Sequence, residues 1–217
     1  AFPIQDGMKI YTNTPELRQA RRDIVELLLD NHPEDCHTCE RNSNCELQRL
    51  AMSMGIKKRH FVGEKKHYNR DLSSPSIVRD PDKCILCGRC VRICSEIQNV
   101  HTLTQAYRGF KTVVIPAFDE DLAESVCSTC GQCINVCPTA AFIEKSYTQE
   151  LFEKLNDNSI VKVVQFAPSV RAAIGEAFGF EPGTQKENEL VAALRKLGFD
   201  YVFDTNFAAD LTIMEEA

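Results

Sequence analysis

The amino-acid sequence predicts an α+β multidomain protein, in which two small cysteine-rich domains precede the first part of an α/β domain. All eleven cysteines lie between Cys36 and Cys137, and one cysteine pattern occurs twice within that range. After about Tyr147 the pattern changes to short apolar runs that alternate with helical periodicity. The 217 residues are enough for one to three small domains.

Composition narrows the class of protein. The net charge of −6 argues against general affinity for nucleic acid. No apolar run reaches the roughly 18 residues of a membrane span, and the first residues lack the features of a signal peptide. The cysteine count is odd and the spacings are typical of metal sites, which favours thiolates on metals over a disulfide scaffold. We therefore expect a reducing, cytoplasmic location.

The first predicted element is a helix over 14–30. Thr14 is a suitable N-cap, and Pro15 is favoured as the first helical residue. Pro33 disfavours helical geometry at His32, so the helix should end there, where the imidazole can point at a metal. The apolar positions at helical spacing are Leu17, Ala20, Ile24, Leu27 and Leu28.

A candidate metal site follows this helix. Its residues are His32, Cys36, Cys39 and Cys45, at offsets 0, 4, 7 and 13. Alone, the set fits either zinc or a [4Fe–4S] cluster with one histidine ligand. His37 competes for the ligand role, but it lies inside the cysteine loop and should point away. His60, His67 and His101 are isolated in the sequence and are interpreted as surface or connector residues.

The segment 57–70 is basic. It is interpreted as a solvated connector, with docking of a partner as the alternative. A domain boundary is expected after residue 72, so that the predicted domains cover 1–13, 14–72, 73–147 and 148–217.

The repeat is the strongest signal. CILCGRCVRIC starts at Cys84 and CSTCGQCINVC at Cys127, each with cysteines at offsets 0, 3, 6 and 10. This spacing wraps a [4Fe–4S] cluster with three thiolates and sends the fourth thiolate to a second cluster. Gly88 and Gly131 should let the backbone approach the clusters without a Cβ clash. Paired zinc sites are the alternative, although zinc is usually held by two separated C-x2-C pairs.

Two copies predict crossed ligation in a ferredoxin-like 2[4Fe–4S] domain. One cluster would be held by Cys84, Cys87, Cys90 and Cys137, and the other by Cys127, Cys130, Cys133 and Cys94. Pro138 follows the last cysteine as in the pattern, whereas Ser95 replaces the other proline. Between the repeats we expect two strands joined by a turn near Arg108 and Gly109. Beside two such clusters, the His32 set is better interpreted as a third [4Fe–4S] cluster.

The last part of the chain predicts strand–helix–helix–strand–helix. Residues 161–166 should form a buried strand, and the helix after it should follow Pro168 and Ser169. A capping box of Thr184 and Glu187 should open a helix over 185–197 that stops at Gly198, followed by a second strand and a helix from about residue 207. Because about 57 residues cannot cover both faces of a parallel sheet, we expect this α/β domain to be truncated.

The order of these motifs resembles the accessory region of [FeFe]-hydrogenases. That region is shared with the large iron–sulfur subunit of respiratory complex I and with some NAD-dependent formate dehydrogenases. FAPSVRAAIGEAFG and the segment 190–217 resemble the start of the hydrogenase catalytic (H-cluster) domain. The opening AFPIQDGMKIYT is similar to the last strand of an upstream [2Fe–2S] domain.

The resemblance implies an electron relay in an enzyme that reversibly reduces protons to H2 with electrons from NAD(P)H or ferredoxin. It implies a [2Fe–2S] cluster and the diiron H-cluster in the parent, whose cysteines would lie outside this chain. Partners would be flavin- and NAD(P)-binding iron–sulfur subunits or ferredoxin, in a hetero-oligomer, and electron bifurcation is one form that such an enzyme takes. The alternatives are an electron-transfer subunit of another NAD-linked dehydrogenase, of formate dehydrogenase or complex I type, and a non-catalytic iron–sulfur protein.

The resemblance also implies that Ala167, Pro168 and Ser169 line the diiron site. A loop between the carboxyl end of a strand and a helix start suits an anionic group. The alternative is that Ser169 is only the N-cap of the helix.

Overall fold

The computed structural model describes residues 2–61 and 63–216. Ala1, Val62 and Ala217, which fall in the predicted first domain, the basic segment and the predicted last helix, lie outside the described residues. The chain divides into two compact units, the first unit over Ala1–Lys145 and the second unit over Ser146–Ala217. In the described part of the chain no helix has the length and apolar character needed to cross a membrane.

Helix α1 spans Pro15–Asp30, as predicted. The hydroxyl oxygen of Thr14 accepts a hydrogen bond from the Leu17 N–H at 3.3 Å, which caps the first turn. At the other end the His32 N–H donates to the Leu29 carbonyl at 3.1 Å. The end of α1 therefore fixes the position of the His32 backbone.

The buried face of α1 differs from the predicted one. Val25 and Glu26 are its buried residues, whereas Ile24 and Leu27 are 58% and 53% exposed. Glu26 turns inward because its carboxylate accepts from the His60 N–H at 2.6 Å and also pairs with the His60 ring. His60 is thus an exposed residue with a buried acidic partner and is not isolated. His67 likewise pairs with Asp82 at 2.8 Å.

Helix α2 spans Glu46–Ser53 and buries Leu47. The basic segment that follows contains no helix or strand among its described residues. Its Arg59 guanidinium donates to the carbonyls of Asp30 and His32, at 3.2 and 3.1 Å. The segment is therefore a connector that caps the end of α1 and holds the backbone at His32.

An antiparallel pair closes the core of the first unit. Strand β1, Ile77–Arg79, precedes the first cysteine repeat, and strand β4, Phe142–Glu144, follows the second, with Val78 opposite Ile143. The short helices α3, Arg89–Arg92, and α4, Gln132–Val136, each continue from a cysteine loop. The core cluster contains Ile77, Cys90, Leu103, Val114, Leu122, Ile134, Ala141 and Phe142.

The insertion between the repeats is the predicted hairpin. Strand β2, Thr104–Ala106, pairs antiparallel with β3, Val113–Ile115, and a 3₁₀ turn over Gly109–Lys111 lies between them. All three residues of β3 are buried, so the hairpin contributes one face of the core.

A buried carboxylate ties three segments of this unit together. One oxygen of Asp71 accepts from the Leu122 N–H at 2.9 Å and from the Arg79 Nε at 3.4 Å. The other accepts from the backbone and hydroxyl of Ser73, at 3.0 and 2.6 Å. Burial opposes the charged form, but the hydrogen bonds from Ser73 and Leu122 and the charge of Arg79 hold the pKa of Asp71 below its ordinary value.

The second unit has the predicted order of elements after one additional helix. Its elements are α5 Thr148–Leu155, β5 Val163–Phe166, α6 Pro168–Ala173, α7 Glu187–Leu197, β6 Tyr201–Asp204 and α8 Thr205–Glu216. β5 and β6 are parallel, with Val164 opposite Val202. Gly198 ends α7 in the left-handed conformation, at φ 108°, as predicted.

Two local predictions were wrong. The strand β5 is not buried, since Val163 is 56% exposed and Phe166 is its one buried residue; the described part of this unit leaves one face of the two-stranded sheet uncovered. The capping box does not form, because the Thr184 hydroxyl donates to the Glu181 carbonyl at 2.6 Å and α7 begins only at Glu187. Residues 2–13 contain a turn and pair with no described segment, so their assignment to the end of an upstream domain stays a prediction.

Candidate metal centres

The first site lies in the loop after α1. His32 is 8% exposed, and its Nδ1 is buried without a hydrogen-bond partner among the described residues. Burial lowers the pKa of His32 to about 4, against the charge of Asp35 and with help from the charges of Lys83 and Arg59. The imidazole is therefore neutral near pH 7, which is the form that binds a metal.

The three cysteines of this loop lie near one another. Burial and the charges of Cys39 and Cys45 raise the pKa of the Cys36 thiol. Cys36 is exposed, and the other two are partly buried. His37 is exposed like Cys36, so its exclusion from the ligand set stays a prediction.

A lysine that the sequence did not single out reaches this loop. The Lys83 side chain is 6% exposed, and its Nζ lies 3.0 Å from a carboxylate oxygen of Asp35 and 3.6 Å from one of Glu40. Nζ also donates to the Cys39 Sγ at 3.6 Å. Burial disfavours the charged form, but these neighbours hold the pKa of Lys83 above its ordinary value. The one sequence signal was the position of Lys83 directly before Cys84.

The two cysteine repeats form loops with matching backbones. Gly88 and Gly131 both have φ 73°, and two residues earlier Leu86 and Thr129 have φ 56° and 54°. Such left-handed residues create concave loops whose N–H groups face inward. One of these N–H groups, that of Leu86, donates to the Cys84 Sγ at 3.4 Å.

The backbone gives its own reason for glycine at both positions. A Cβ at Gly131 would meet no atom within 4 Å, and a Cβ at Gly88 would only touch Gln105 at 3.6 Å. The positive φ alone favours glycine, since it costs roughly 1–2 kcal/mol for a residue with a side chain. The close approach of these glycines to clusters stays a prediction.

Two cavities group the eight cysteines of the repeats. One, of about 300 Å³ with its open mouth included, is lined by Cys84, Cys87, Cys90 and Cys137. The other, of about 370 Å³ measured in the same way, is lined by Cys94, Cys127, Cys130 and Cys133. Each set joins three cysteines of one repeat to the last cysteine of the other, and the remaining lining is largely apolar, with residues such as Phe142 and Leu122.

Two buried thiols in these cavities strongly resist ionisation. Burial, followed by the charges of neighbouring thiolates, raises the pKa of Cys90 and of Cys133 to about 12. Neighbouring thiols placed this way favour a positively charged centre that displaces their protons. Across residues 2–61 and 63–216, no three His, Cys, Asp or Glu side chains converge closely enough to hold a single metal ion.

The repeats differ after their last cysteine. Cys137 ends the second repeat in extended backbone directly before Pro138, whereas Cys94 lies in a π-helical turn over Ile93–Ile97. Ser95 permits that turn because its hydroxyl donates to the Val91 carbonyl at 2.9 Å, where a proline would end the helix. The departure from the pattern at Ser95 therefore changes the local turn and leaves Cys94 facing the shared cavity.

In the second unit Ala167, Pro168 and Ser169 are exposed where β5 ends and α6 begins. Ala167 occupies the N-cap position, so the alternative role of Ser169 as an N-cap is wrong. Ser169 is the second helical residue, and its hydroxyl is free of protein partners among the described hydrogen bonds.

Comparison with protein families identifies three matched segments. Residues 21–60 match the NADH-ubiquinone oxidoreductase-G iron–sulfur binding region, and residues 83–141 match a 4Fe-4S dicluster domain. Residues 161–217 match the C-terminal domain of the iron-only hydrogenase large subunit.

Individual relatives agree with these matches. The chain is 50% identical over its full length to the NADP-reducing hydrogenase subunit HndD of Solidesulfovibrio fructosivorans, of which it covers 37%. It is 38% identical over 99% of its length to iron hydrogenase 1 of Clostridium pasteurianum, of which it covers 38%. The chain thus spans little more than a third of these relatives. A crystal structure of an NAD+-reducing [NiFe]-hydrogenase in the H2-reduced state matches with a TM-score of 0.63 and 28% identity, over 67% of this chain and 62% of that one.

Proposed function

We propose that the chain belongs to the family of iron-only hydrogenase large subunits, and that its first unit relays electrons to the hydrogen-converting centre of a longer parent enzyme. Iron–sulfur clusters supply one-electron transfer without proton chemistry of their own. The parent would reversibly reduce protons to H2 with electrons from NAD(P)H or ferredoxin.

One observation carries this proposal: each of the two cavities is lined by three cysteines of one repeat and the last cysteine of the other. That is the donor set of two [4Fe–4S] clusters with crossed ligation. His32, Cys36, Cys39 and Cys45 would hold a third [4Fe–4S] cluster, and the buried, unpaired Nδ1 and neutral ring of His32 support this assignment.

The parent's remaining parts are proposed from the family alone. They are an upstream [2Fe–2S] domain, the diiron H-cluster and flavin- and NAD(P)-binding partner subunits in a hetero-oligomer. Ala167, Pro168 and Ser169 would line the diiron site, since they lie exposed at the carboxyl end of a parallel strand, where ligands of α/β domains bind. Because α6 has only six residues, its dipole adds little to that argument.

A second candidate function is an electron-transfer subunit of another NAD-linked dehydrogenase. The match of residues 21–60 to the oxidoreductase-G region favours it. That observation concerns only the first unit, whereas the match over 161–217 points to the hydrogenase and makes it the preferred function.

The test is metal analysis of the anaerobically reconstituted chain. We expect about twelve iron atoms per chain, four for each of three clusters, and no stoichiometric zinc. His32→Ala should remove one electron paramagnetic resonance signal of the reduced chain, while His37→Ala should leave all of them. Zinc in place of iron, or equal effects of the two histidine variants, would contradict the cluster assignment.

His32→Cys examines the same site electronically. The variant should keep its iron but titrate at a lower potential, because a thiolate adds one negative charge that the imidazole lacks. An unchanged potential would show that His32 is not a ligand.

A further inference from the structure

We propose that Lys83 is a positioning residue of the first site, and that its ammonium donates to Cys39 to stabilise the reduced form of the group held there. This inference rests on the proposed function, because it needs a redox centre on His32, Cys36, Cys39 and Cys45. It adds a residue that is no ligand and that belongs to a different segment of the chain.

The geometry directs all three donors of the ammonium into one loop. Nζ lies 3.0 Å from Asp35, 3.6 Å from Glu40 and 3.6 Å from the Cys39 Sγ. A lysine ammonium has three N–H donors and no acceptor, so these contacts account for all of them. Because the Lys83 side chain is only 6% exposed, its ammonium has little access to water as an alternative partner.

The carboxylates alone do not explain the placement of Lys83. Asp35 and Glu40 are 41% and 46% exposed and could keep their water. The Lys83 ammonium is instead buried, although burial of a cation costs free energy unless the cation is paired. Its third N–H donor faces the Cys39 Sγ. A cation in that position gains most when the sulfur carries negative charge.

The sign of the electronic effect follows from charge. Reduction adds one negative charge to a cluster, and hydrogen bonds to its sulfurs favour that state and raise the potential. Removing the ammonium also deprives Asp35 of its counter-charge beside the site, whereas Glu40 keeps Arg70 at 3.3 Å. The uncompensated charge of Asp35 acts in the same direction. Without Lys83 the first site should accept electrons less readily.

The main chain of Lys83 connects this site to the next. The Lys83 carbonyl accepts from the Thr139 hydroxyl at 2.7 Å, and that hydroxyl lies 3.8 Å from the Cys137 Sγ. Lys83 also directly precedes Cys84. One residue therefore contacts Cys39 of the first site and borders two cysteines of the neighbouring cavity. The side-chain variants below leave these backbone contacts in place.

The experiment is a potentiometric titration of the full 217-residue chain after anaerobic reconstitution, followed by electron paramagnetic resonance. The signal of the first site is the one that His32→Ala removes. For Lys83→Met we expect the electron affinity of that site to fall about tenfold, which is ~59 mV for a one-electron couple. Lys83→Arg keeps the charge and should retain most of the potential.

Lys66→Met is the matched control. Lys66 is also partly buried, but its Nζ donates to the Thr112 carbonyl at 3.0 Å, and the cysteine whose charge it feels is Cys84. This variant should leave the potential of the first site unchanged. If Lys66→Met shifts the potential as much as Lys83→Met does, the shift reflects a general loss of positive charge, and the proposal is overturned.

An unchanged potential in Lys83→Met at wild-type iron content also overturns the proposal. If Lys83→Met loses the cluster, Lys83→Gln is measured instead, because it keeps a polar side chain of similar length without the charge. An unchanged potential in Lys83→Gln would likewise overturn the proposal. A wild-type chain that lacks any His32-dependent signal instead contradicts the proposed function, and the inference falls with its premise.

Discussion

The buried carboxylate of Asp71 offers a quantitative test of what holds the first unit together. Asp71 is 5% exposed, and its two oxygens receive hydrogen bonds from Ser73, Leu122 and Arg79. Asp71→Ala leaves the Leu122 N–H without its acceptor and deprives a buried guanidinium of its counter-charge. Breaking a buried ion pair from one side costs about 3–5 kcal/mol of unfolding free energy. Since Arg79 retains the Val114 carbonyl at 3.2 Å, we expect the lower half of that range.

The assay is urea denaturation followed by circular dichroism. Asp157→Ala is the matched control, because Asp157 accepts from the backbone and hydroxyl of Ser159, at 2.8 and 2.6 Å, as Asp71 does from Ser73, but at the surface. It should lower the unfolding free energy much less than Asp71→Ala does, because water solvates exposed donors that lose their acceptor. The double variant Asp71→Ala/Arg79→Met should be less destabilised than the sum of the single variants, since it leaves no unpaired charge.

The contribution of Asp71 to the unfolding free energy should decrease at acidic pH. Its folded-state pKa is lowered, so its contribution is present above the unfolded-state pKa, near ~3.9, and is lost as pH falls through the lower folded-state value. The difference between wild type and Asp71→Asn should therefore shrink below about pH 4. An Asp71→Ala cost no larger than that of Asp157→Ala, or a difference that does not depend on acid, would refute this account.

Three further changes have definite expected outcomes. Glu26→Gln should lower the unfolding free energy by about 1–3 kcal/mol, because a buried acceptor of two His60 hydrogen bonds is weakened, and thermal denaturation measures it. Gly131→Ala should cost roughly 1–2 kcal/mol and reduce iron incorporation, whereas Gly63→Ala, at ordinary φ, should do neither. Ser169→Ala should leave stability unchanged but lower hydrogen turnover in the complete enzyme, and unchanged turnover would remove Ser169 from the proposed diiron-site lining.

The sequence predicted those elements that depend on residues close together in the chain, such as helix caps and turns. Thr14 and Pro15 start α1, Gly198 stops α7 and the hairpin between the repeats forms where turn residues separate two apolar runs. The cysteine sets are also grouped as the repeat spacing predicted, because three close cysteines can only curl around one centre. That these sets bind clusters stays a prediction.

Long-range contacts decided the rest. The buried face of α1 is set by His60, 34 positions away, and the start of α7 is set by the Thr184 turn and not by its helical propensity. Lys83 could not be singled out because a lysine beside a cysteine is uninformative until the Asp35 loop is folded against it. Leu86 and Thr129 adopt left-handed backbone conformations, which the sequence did not predict because neither residue is a glycine.

The pairing of β1 with β4 constrains the order in which the protein can be made. The strand before the first repeat finds its partner only after the second repeat, with Ile77 opposite Glu144. Each cavity likewise needs a cysteine from both repeats, so neither is complete while the chain beyond Cys127 is still on the ribosome. At synthesis rates of about 5–20 residues per second, the first repeat must wait several seconds with its thiols unprotected. Under the proposed function, both clusters are therefore completed only after the second repeat has been synthesised.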